Sequence, residues 1–218
     1  MAEEQAPAKK LRFTNNFVTI KATLDDETES FHVHEDIIKE RSQYFRTAFD
    51  KKWAEGKARE IEMQEDDPEI VSGYLEFIYR GSICSAPFSS DSEERNRAIQ
   101  HLIRLYVFGE KIQDDEFCNS TLRTLVTRCS EKDSTGSTWY PTGNSVRTLY
   151  DGTPTNSPAR CFLVDMHLEH GEEEWLGEDA EHHHPEFLFD LARQLMRTKQ
   201  QDSYESPMAK VEKWMKKA

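Results

Sequence analysis

The sequence predicts an α/β (α+β) fold in which helices flank a small sheet and an all-helical extension follows. Three observations favour this class. The stretch Phe31–Phe49 changes from strand-like alternation to helical spacing within a few residues. Residues 132–144 are rich in Ser, Thr, Gly and Pro, which is typical of a boundary. After residue 145 every apolar pattern is helical.

The N-terminal elements are predicted from short-range patterns. We interpret residues 1–15 as a flexible tail, because they are polar and lack an apolar run. The apolar pattern predicts two strands, Phe17–Ile20 and Phe31–His34, separated by a polar turn at Asp25–Thr28.

A helical hairpin is predicted directly after the second strand. Apolar side chains recur at helical spacing in two groups, and Ser42 between them is suited to cap the second helix. The two groups consist of Ile37 and Ile38, then Tyr44, Phe45, Ala48 and Phe49.

The next segment, 51–60, is charged and is predicted to be a surface loop that leads to a strand at Ile61. A helix then begins at Pro68 and ends at Gly81, where proline and glycine are favoured. Two further apolar helices complete the region. We expect close packing at Gly109 in the first of them, because glycine is unfavourable inside a helix. Asp114 or Asp115 is expected to cap the second, which runs through Cys129.

We predict domain boundaries at residues 16–131, with a linker at 132–144 and a helical extension at 145–218. Three helices of the extension are expected near Val146, at Pro158 and at Pro185, the second of them stopped by Gly171. Ser206-Pro207 is expected to open a last amphipathic segment that carries Met208, Val211 and Trp214.

Composition limits the function classes. The net charge of −13 disfavours nucleic acid and anionic membranes as partners, because phosphates attract Lys/Arg-rich surfaces. No run of about 18 apolar residues is present, and the N-terminus lacks a secretory pattern. We therefore expect a cytoplasmic or nuclear protein. Its four cysteines suggest no disulfide framework, and we expect Cys118 and Cys129 to be buried free thiols.

Catalytic and metal-binding signatures are weak. The sequence has no nucleophile elbow, phosphate-binding loop or dinucleotide fingerprint, so we expect no enzyme activity and no cofactor. His167 and His170 are spaced for one ion, and His182–His184 follow later. Helix-terminal roles explain these histidines better, so a metal-dependent enzyme is the least favoured alternative.

Several of these motifs together resemble the BTB/POZ domain family over about residues 16–130. Four features follow one another in the family's order: the strand that ends in His34, the Ser-x-Tyr-Phe sequence of the hairpin, the strand at 61–63 and the turn at 66–68. The stretch 77–83 is similar to the helix end and following strand of that family. The resemblance implies a BTB/POZ-like fold that binds other proteins.

Trp53-Ala54-Glu55 is the surface motif with the clearest functional meaning. BTB proteins that recruit a cullin scaffold carry a hydrophobic-x-Glu element in the loop after the hairpin, and this motif stands at the matching place. An exposed Trp could fill a partner's pocket while the carboxylate fixes orientation. The alternative is a Trp that folds back onto its own domain. We assign Trp53 and Glu55, with Tyr44 and Phe49 of the hairpin, to the predicted protein-binding site.

By resemblance, the leading functional expectation is an adaptor that links a cullin-type ubiquitin ligase to a client. The alternative is a BTB scaffold or transcription-associated dimerisation protein with no ligase role. Long-form BTB domains dimerise through an amphipathic helix before the first strand, and the residues before Phe17 carry no such stripe. We therefore expect a monomer or a weak homodimer. The sequence does not identify the client.

Overall fold

The computed structural model describes residues 15–84, 91–133, 136–176, 183–198 and 212–216. The chain forms two compact units, Met1–Pro68 and Glu69–Ala218. The described residues form a small three-stranded sheet with flanking helices and a helical extension, which confirms the predicted fold class.

The sheet of the first unit has the strand order β2-β1-β3. Strands β1 (Phe17–Leu24) and β2 (Glu27–His34) pair antiparallel across a two-residue turn, where Asp25 adopts a φ of 51°. Strand β3 (Glu60–Gln64) pairs parallel with β1. Alternate apolar side chains are buried on one face, as the period of a half-buried strand requires: Val18, Ile20, Ala22, Val33, Ile61 and Met63.

The predicted hairpin is confirmed as α1 (Glu35–Arg41) and α2 (Gln43–Ala48). Ser42 is the only residue between them, and its Oγ accepts a hydrogen bond from the Phe45 backbone N at 3.1 Å. This cap satisfies a donor that the first turn of α2 leaves unpaired. Phe45 and Phe49 are buried and their rings stack at a centroid distance of 6.1 Å.

Two local predictions were wrong. The segment expected to be a surface loop contains a short helix, α3 (Ala54–Ala58), whose charged sequence carries no apolar period. Residues 81–84 form no strand, although the family resemblance implied one there. Gly81 (φ 75°) ends the preceding helix, and the residues that follow pair with no strand of the described sheet.

Six α-helices and a 3-10 helix at Glu173–Trp175 follow β3 among the described residues. They confirm the helices predicted at Pro68, at 98–129, near Val146, at Pro158 and at Pro185. The segment predicted to begin at Ser206 lies outside the described residues, apart from 212–216. The helices are α4 (Pro68–Arg80), α5 (Ser92–Ile112), α6 (Asp115–Ser130), α7 (Asn144–Gly152), α8 (Pro158–His170) and α9 (Pro185–Thr198).

Aromatic packing forms the centre of the second unit. Tyr74 of α4 contacts Phe108 and Phe117 edge-on, and its hydroxyl donates to Asp114 Oδ2 at 3.0 Å. Asp114 also caps α6, because its other carboxylate oxygen accepts from the Phe117 backbone N. The same carboxylate therefore fixes the start of α6 and orients a buried tyrosine.

Gly109 allows α5 and α6 to approach closely, as predicted. A Cβ at this position would lie 2.7 Å from Cys118 Sγ and 3.0 Å from Phe117 Cδ1. Cys118 and Cys129 are buried free thiols, which confirms the prediction made for them, and burial raises the pKa of both. Larger residues at 109 would force these helices apart.

The helices after residue 144 pack on the preceding ones. Helix α7 lies against α5, and the Tyr106 hydroxyl is 3.1 Å from Ser157 Oγ. Trp214 is buried and contacts the ring of Phe162 in α8. No helix in the described part of the chain has the length and hydrophobicity that crossing a bilayer requires.

Candidate protein-binding site

Trp53 is presented by a tight turn that joins the hairpin to α3. It occupies the N-cap position of this helix, with an extended backbone (φ −95°, ψ 162°), and its N donates to Asp50 O at 2.9 Å. Gly56 makes the turn possible, because a Cβ there would lie 2.2 Å from the Asp50 carbonyl oxygen. The Trp53 side chain remains 58% exposed.

The end of α3 is fixed to the sheet through Arg59. Its φ of 57° places it in the left-handed region, and its guanidinium donates twice to the Phe17 carbonyl oxygen. The same guanidinium lies 3.0 Å from Glu35 Oε2. These contacts hold α3 against β1 and α1. The position of Trp53 is therefore set both by the turn after the hairpin and by the attachment of α3.

Trp53 lines an open groove of about 570 Å³ in the first unit. Helices α2 and α3 contribute its walls, and the buried side chain of Ile61 in β3 lines it as well. Three of the four predicted site residues meet here. The lining residues are Tyr44, Thr47, Ala48, Trp53, Ala54, Glu55, Ala58, Glu60, Ile61 and Glu62.

The polar lining of the groove is acidic. Three glutamates contribute to it, and one of them, Glu60, pairs with Lys21 Nζ at 2.7 Å. Glu55 is exposed and makes no ion pair with any of the described residues. Burial raises the pKa of the Tyr44 hydroxyl, and the carboxylates of Asp66 and Glu55 raise it further. The groove therefore combines apolar and aromatic surface with carboxylates, which suits a partner that carries an apolar pocket bordered by a cation.

The structure places Phe49 apart from the other predicted site residues. It is 1% exposed and does not line the groove, and it packs against Phe45 instead. Sequence reasoning missed Glu60 and Glu62. The alternation of β3, in which Ile61 and Met63 are buried and Glu62 is exposed, was the signal that could have identified Glu62.

The histidines considered as metal ligands make other contacts. His167 Nδ1 lies 2.8 Å from the Leu163 carbonyl, and His170 stacks on Tyr140. His184 is 3.3 Å from Asp151 Oδ1 and contacts the ring of Tyr150. His182 lies outside the described residues. Within the described ranges, no three side chains of His, Cys, Asp or Glu are grouped as a metal site.

The family comparison agrees with this architecture. The family model of the BTB/POZ domain matches residues 9–107. The chain contains a BTB/POZ domain. The match includes the sheet, the hairpin and the groove around Trp53, and it confirms the resemblance seen in the sequence. The BTB/POZ domain indicates that this part of the chain is a protein–protein interaction module. A search of curated proteins found no match to the chain.

Proposed function

We propose that this BTB/POZ protein is an adaptor that binds a cullin-type ubiquitin ligase scaffold through the groove around Trp53. The observation that carries the proposal is the exposed indole of Trp53, which lines the same groove as Glu55. The motif Trp53-Ala54-Glu55 also resembles the hydrophobic-x-Glu element of cullin-binding BTB proteins. Large aromatic anchors that lose their solvent contact on binding commonly dominate the energy of an interface.

The chemistry of the groove supports particular roles for its residues. The indole of Trp53 supplies apolar area to a pocket of the scaffold, and Glu55 pairs with a cation that borders this pocket. Tyr44 forms part of the wall, and burial raises the pKa of its hydroxyl further above the neutral range. Phe49 acts indirectly, since its buried ring supports the hairpin that carries the wall.

The helical extension is proposed to serve the client or to widen the contact with the scaffold. Its helices α7–α9 follow the residues matched by the BTB/POZ family, and they present surface of their own. A pull-down with residues 145–218 as bait, compared with a pull-down with the full chain, identifies the proteins that bind to this region alone.

Isothermal titration with purified cullin scaffolds tests the proposal. We expect the full chain to bind one of them, and Trp53→Ala combined with Glu55→Lys to abolish the binding without a change in the circular dichroism spectrum. The matched control is Phe17→Ala combined with Glu29→Lys, which also removes an exposed aromatic ring and reverses a glutamate charge, but outside the groove. We expect this control to bind like the parent.

Two results would contradict the proposal at different levels. Equal affinity of the parent and the Trp53/Glu55 variant would remove the groove as the binding site. An absence of binding to every scaffold tested would remove the ligase role and favour the alternative, a scaffold or transcription-associated dimerisation protein.

A further inference from the structure

Helix α9 has an apolar face that packs on no other element among the described residues; only Arg193 of the same helix lies over the Phe189 ring. Phe189 is 65% exposed, Met196 is 69% exposed and Leu195 is 48% exposed. Phe189, Ala192 and Met196 are spaced by three and four residues, so they form one stripe along the helix. Large apolar side chains that cluster in this way on a protein surface usually mark an interaction site.

The buried side of α9 is already occupied. Phe187 is buried and contacts the rings of Tyr150 and His167. Asp190 accepts a hydrogen bond from the Tyr150 hydroxyl at 3.3 Å, and Glu186 pairs with Arg160. These contacts fix the rotation of the helix and leave the stripe of Phe189, Ala192 and Met196 exposed. A small residue, Ala192, stands at its middle, where it allows another helix to approach closely.

Charged residues border the stripe in an order that is self-complementary. Glu186 and Asp190 lie in the N-terminal half of α9, and Arg193 and Arg197 lie in the C-terminal half. When two copies of one helix pack antiparallel about a two-fold axis, a residue of one helix and the residue at the same level of the other have numbers that add up to a constant. With an axis between Leu191 and Ala192, Glu186 comes level with Arg197 of the second helix, and Asp190 comes level with Arg193. Within one copy Glu186 already pairs with Arg160, and Asp190 lies 3.7 Å from Arg193 of its own helix, so contacts between the copies would extend these pairs.

We propose that the exposed stripe of α9 binds a second copy of this chain, with the two α9 helices antiparallel about a two-fold axis. The same axis brings Leu188 level with Leu195 of the other copy. The arrangement is isologous, because the two-fold axis brings the same stripe of both copies together. This surface lies outside the residues matched by the BTB/POZ family and does not depend on the cullin proposal.

The size of the stripe sets the strength of the contact. Stable interfaces bury about 1,200 Å² or more in total, and one helix of 14 residues against its copy falls below that size. The net charge of −13 also opposes association of two copies. The dimer is therefore weak and concentration-dependent, which agrees with the monomer or weak homodimer expected from the sequence.

Sedimentation velocity of the full chain over a roughly hundredfold concentration range tests the proposal. We expect the average mass to rise from that of a monomer towards that of a dimer. Met196→Glu should keep the protein monomeric throughout, because it buries a carboxylate between apolar side chains. Arg197→Glu should weaken the dimer by about tenfold, because it places two glutamates at the same level.

The control is Arg97→Glu, the same charge change at an exposed helical position of α5. It should dimerise like the parent. Circular dichroism checks that each variant is folded, and Arg197→Glu keeps the test decisive if Met196→Glu fails to fold. A parent that remains monomeric over the whole range would overturn the proposal, as would a dimer that both α9 variants leave unchanged. Monomeric parent protein that captures a different helical partner through Met196 would assign the stripe to that partner instead.

Discussion

The side chain of Asn119 holds the backbone of Lys216 through two hydrogen bonds. The Lys216 backbone N donates to Asn119 Oδ1 at 2.6 Å, and Asn119 Nδ2 donates to the Lys216 carbonyl at 3.1 Å. The ammonium of Lys216 then reaches Glu110 Oε2 at 3.1 Å and Asp115 Oδ1 at 2.6 Å. Residues 212–216 are therefore attached to α5 and α6.

Removal of the Lys216 side chain should destabilise the second unit. Burial by itself lowers the pKa of Lys216, but its hydrogen bond to Asp115 and the nearby charge of Glu110 raise it overall, so the ammonium stays charged. Lys216→Ala leaves Glu110, which is largely buried, without this cation. We expect the free energy of unfolding to fall by about 1–3 kcal/mol. Urea denaturation measures it, with Lys213→Ala, an exposed lysine of the same segment, as the control that should change little.

Truncation of Phe45 should destabilise the first unit more strongly. Its side chain is fully buried at the centre of the hairpin, against Tyr44 and Phe49. Phe45→Ala should lower the free energy of unfolding by about 3–5 kcal/mol, since it leaves a cavity as well as removing apolar contacts. Thermal denaturation provides the measurement. A melting temperature equal to that of the parent would mean that the hairpin packs through another face.

The hairpin and the sheet could be predicted because their signals are local. Alternation defines β1 and β2, and the Ser42 cap follows from one residue between two apolar groups. Helix α3 was missed because its stability does not come from an apolar period. It forms where Gly56 allows contact with the Asp50 carbonyl and where Arg59 reaches the Phe17 carbonyl, and neither contact has a sequence signature.

The candidate site was predicted only in part for a related reason. Trp53 and Glu55 were found through the family's hydrophobic-x-Glu pattern, which lies in one short stretch. The groove itself also needs Glu60 and Glu62, which the fold brings beside α2 and α3. Phe49 was assigned to the site although it shares the helical stripe of Phe45, and a stripe of that kind usually faces the core.

The fragment 16–131 remains our predicted domain, and the structure suggests how stable it should be. Without the later helices, α5 loses its contact with α7, and the Tyr106 hydroxyl loses its neighbour Ser157. We expect the fragment to fold cooperatively but to melt at a lower temperature than the full chain. Limited proteolysis of the full chain should cleave first within 132–144. Rapid loss of the N-terminal product, or an expressed fragment with no cooperative melting transition, would contradict this boundary.

His167 should make the stability of the second unit depend on pH. Its pKa is lowered to about 4, because burial and the neighbouring His183 lower it by more than the hydrogen bond to the Leu163 carbonyl raises it. Its ring also contacts Trp175 and Phe187 edge-on. The folded protein therefore keeps this imidazole neutral at a pH where the unfolded chain, with an ordinary pKa of about 6.5, already binds a proton.

The sign of the effect follows from this difference in proton binding. The contribution of His167 is fully present above about pH 6.5 and decreases as the pH falls towards 4, because protons then favour the unfolded chain. Between about pH 7.5 and pH 5 we expect this effect of His167 to lower the free energy of unfolding of the parent by about 2 kcal/mol. The side chain of Gln does not titrate in this range. Between the same two pH values, the free energy of unfolding of His167→Gln, measured by urea denaturation, should therefore fall by about 2 kcal/mol less than that of the parent. His32→Gln, which changes an exposed histidine of β2, should behave like the parent. If His167→Gln and the parent lost equal stability between these two pH values, His167 would have to be protonated in the folded protein.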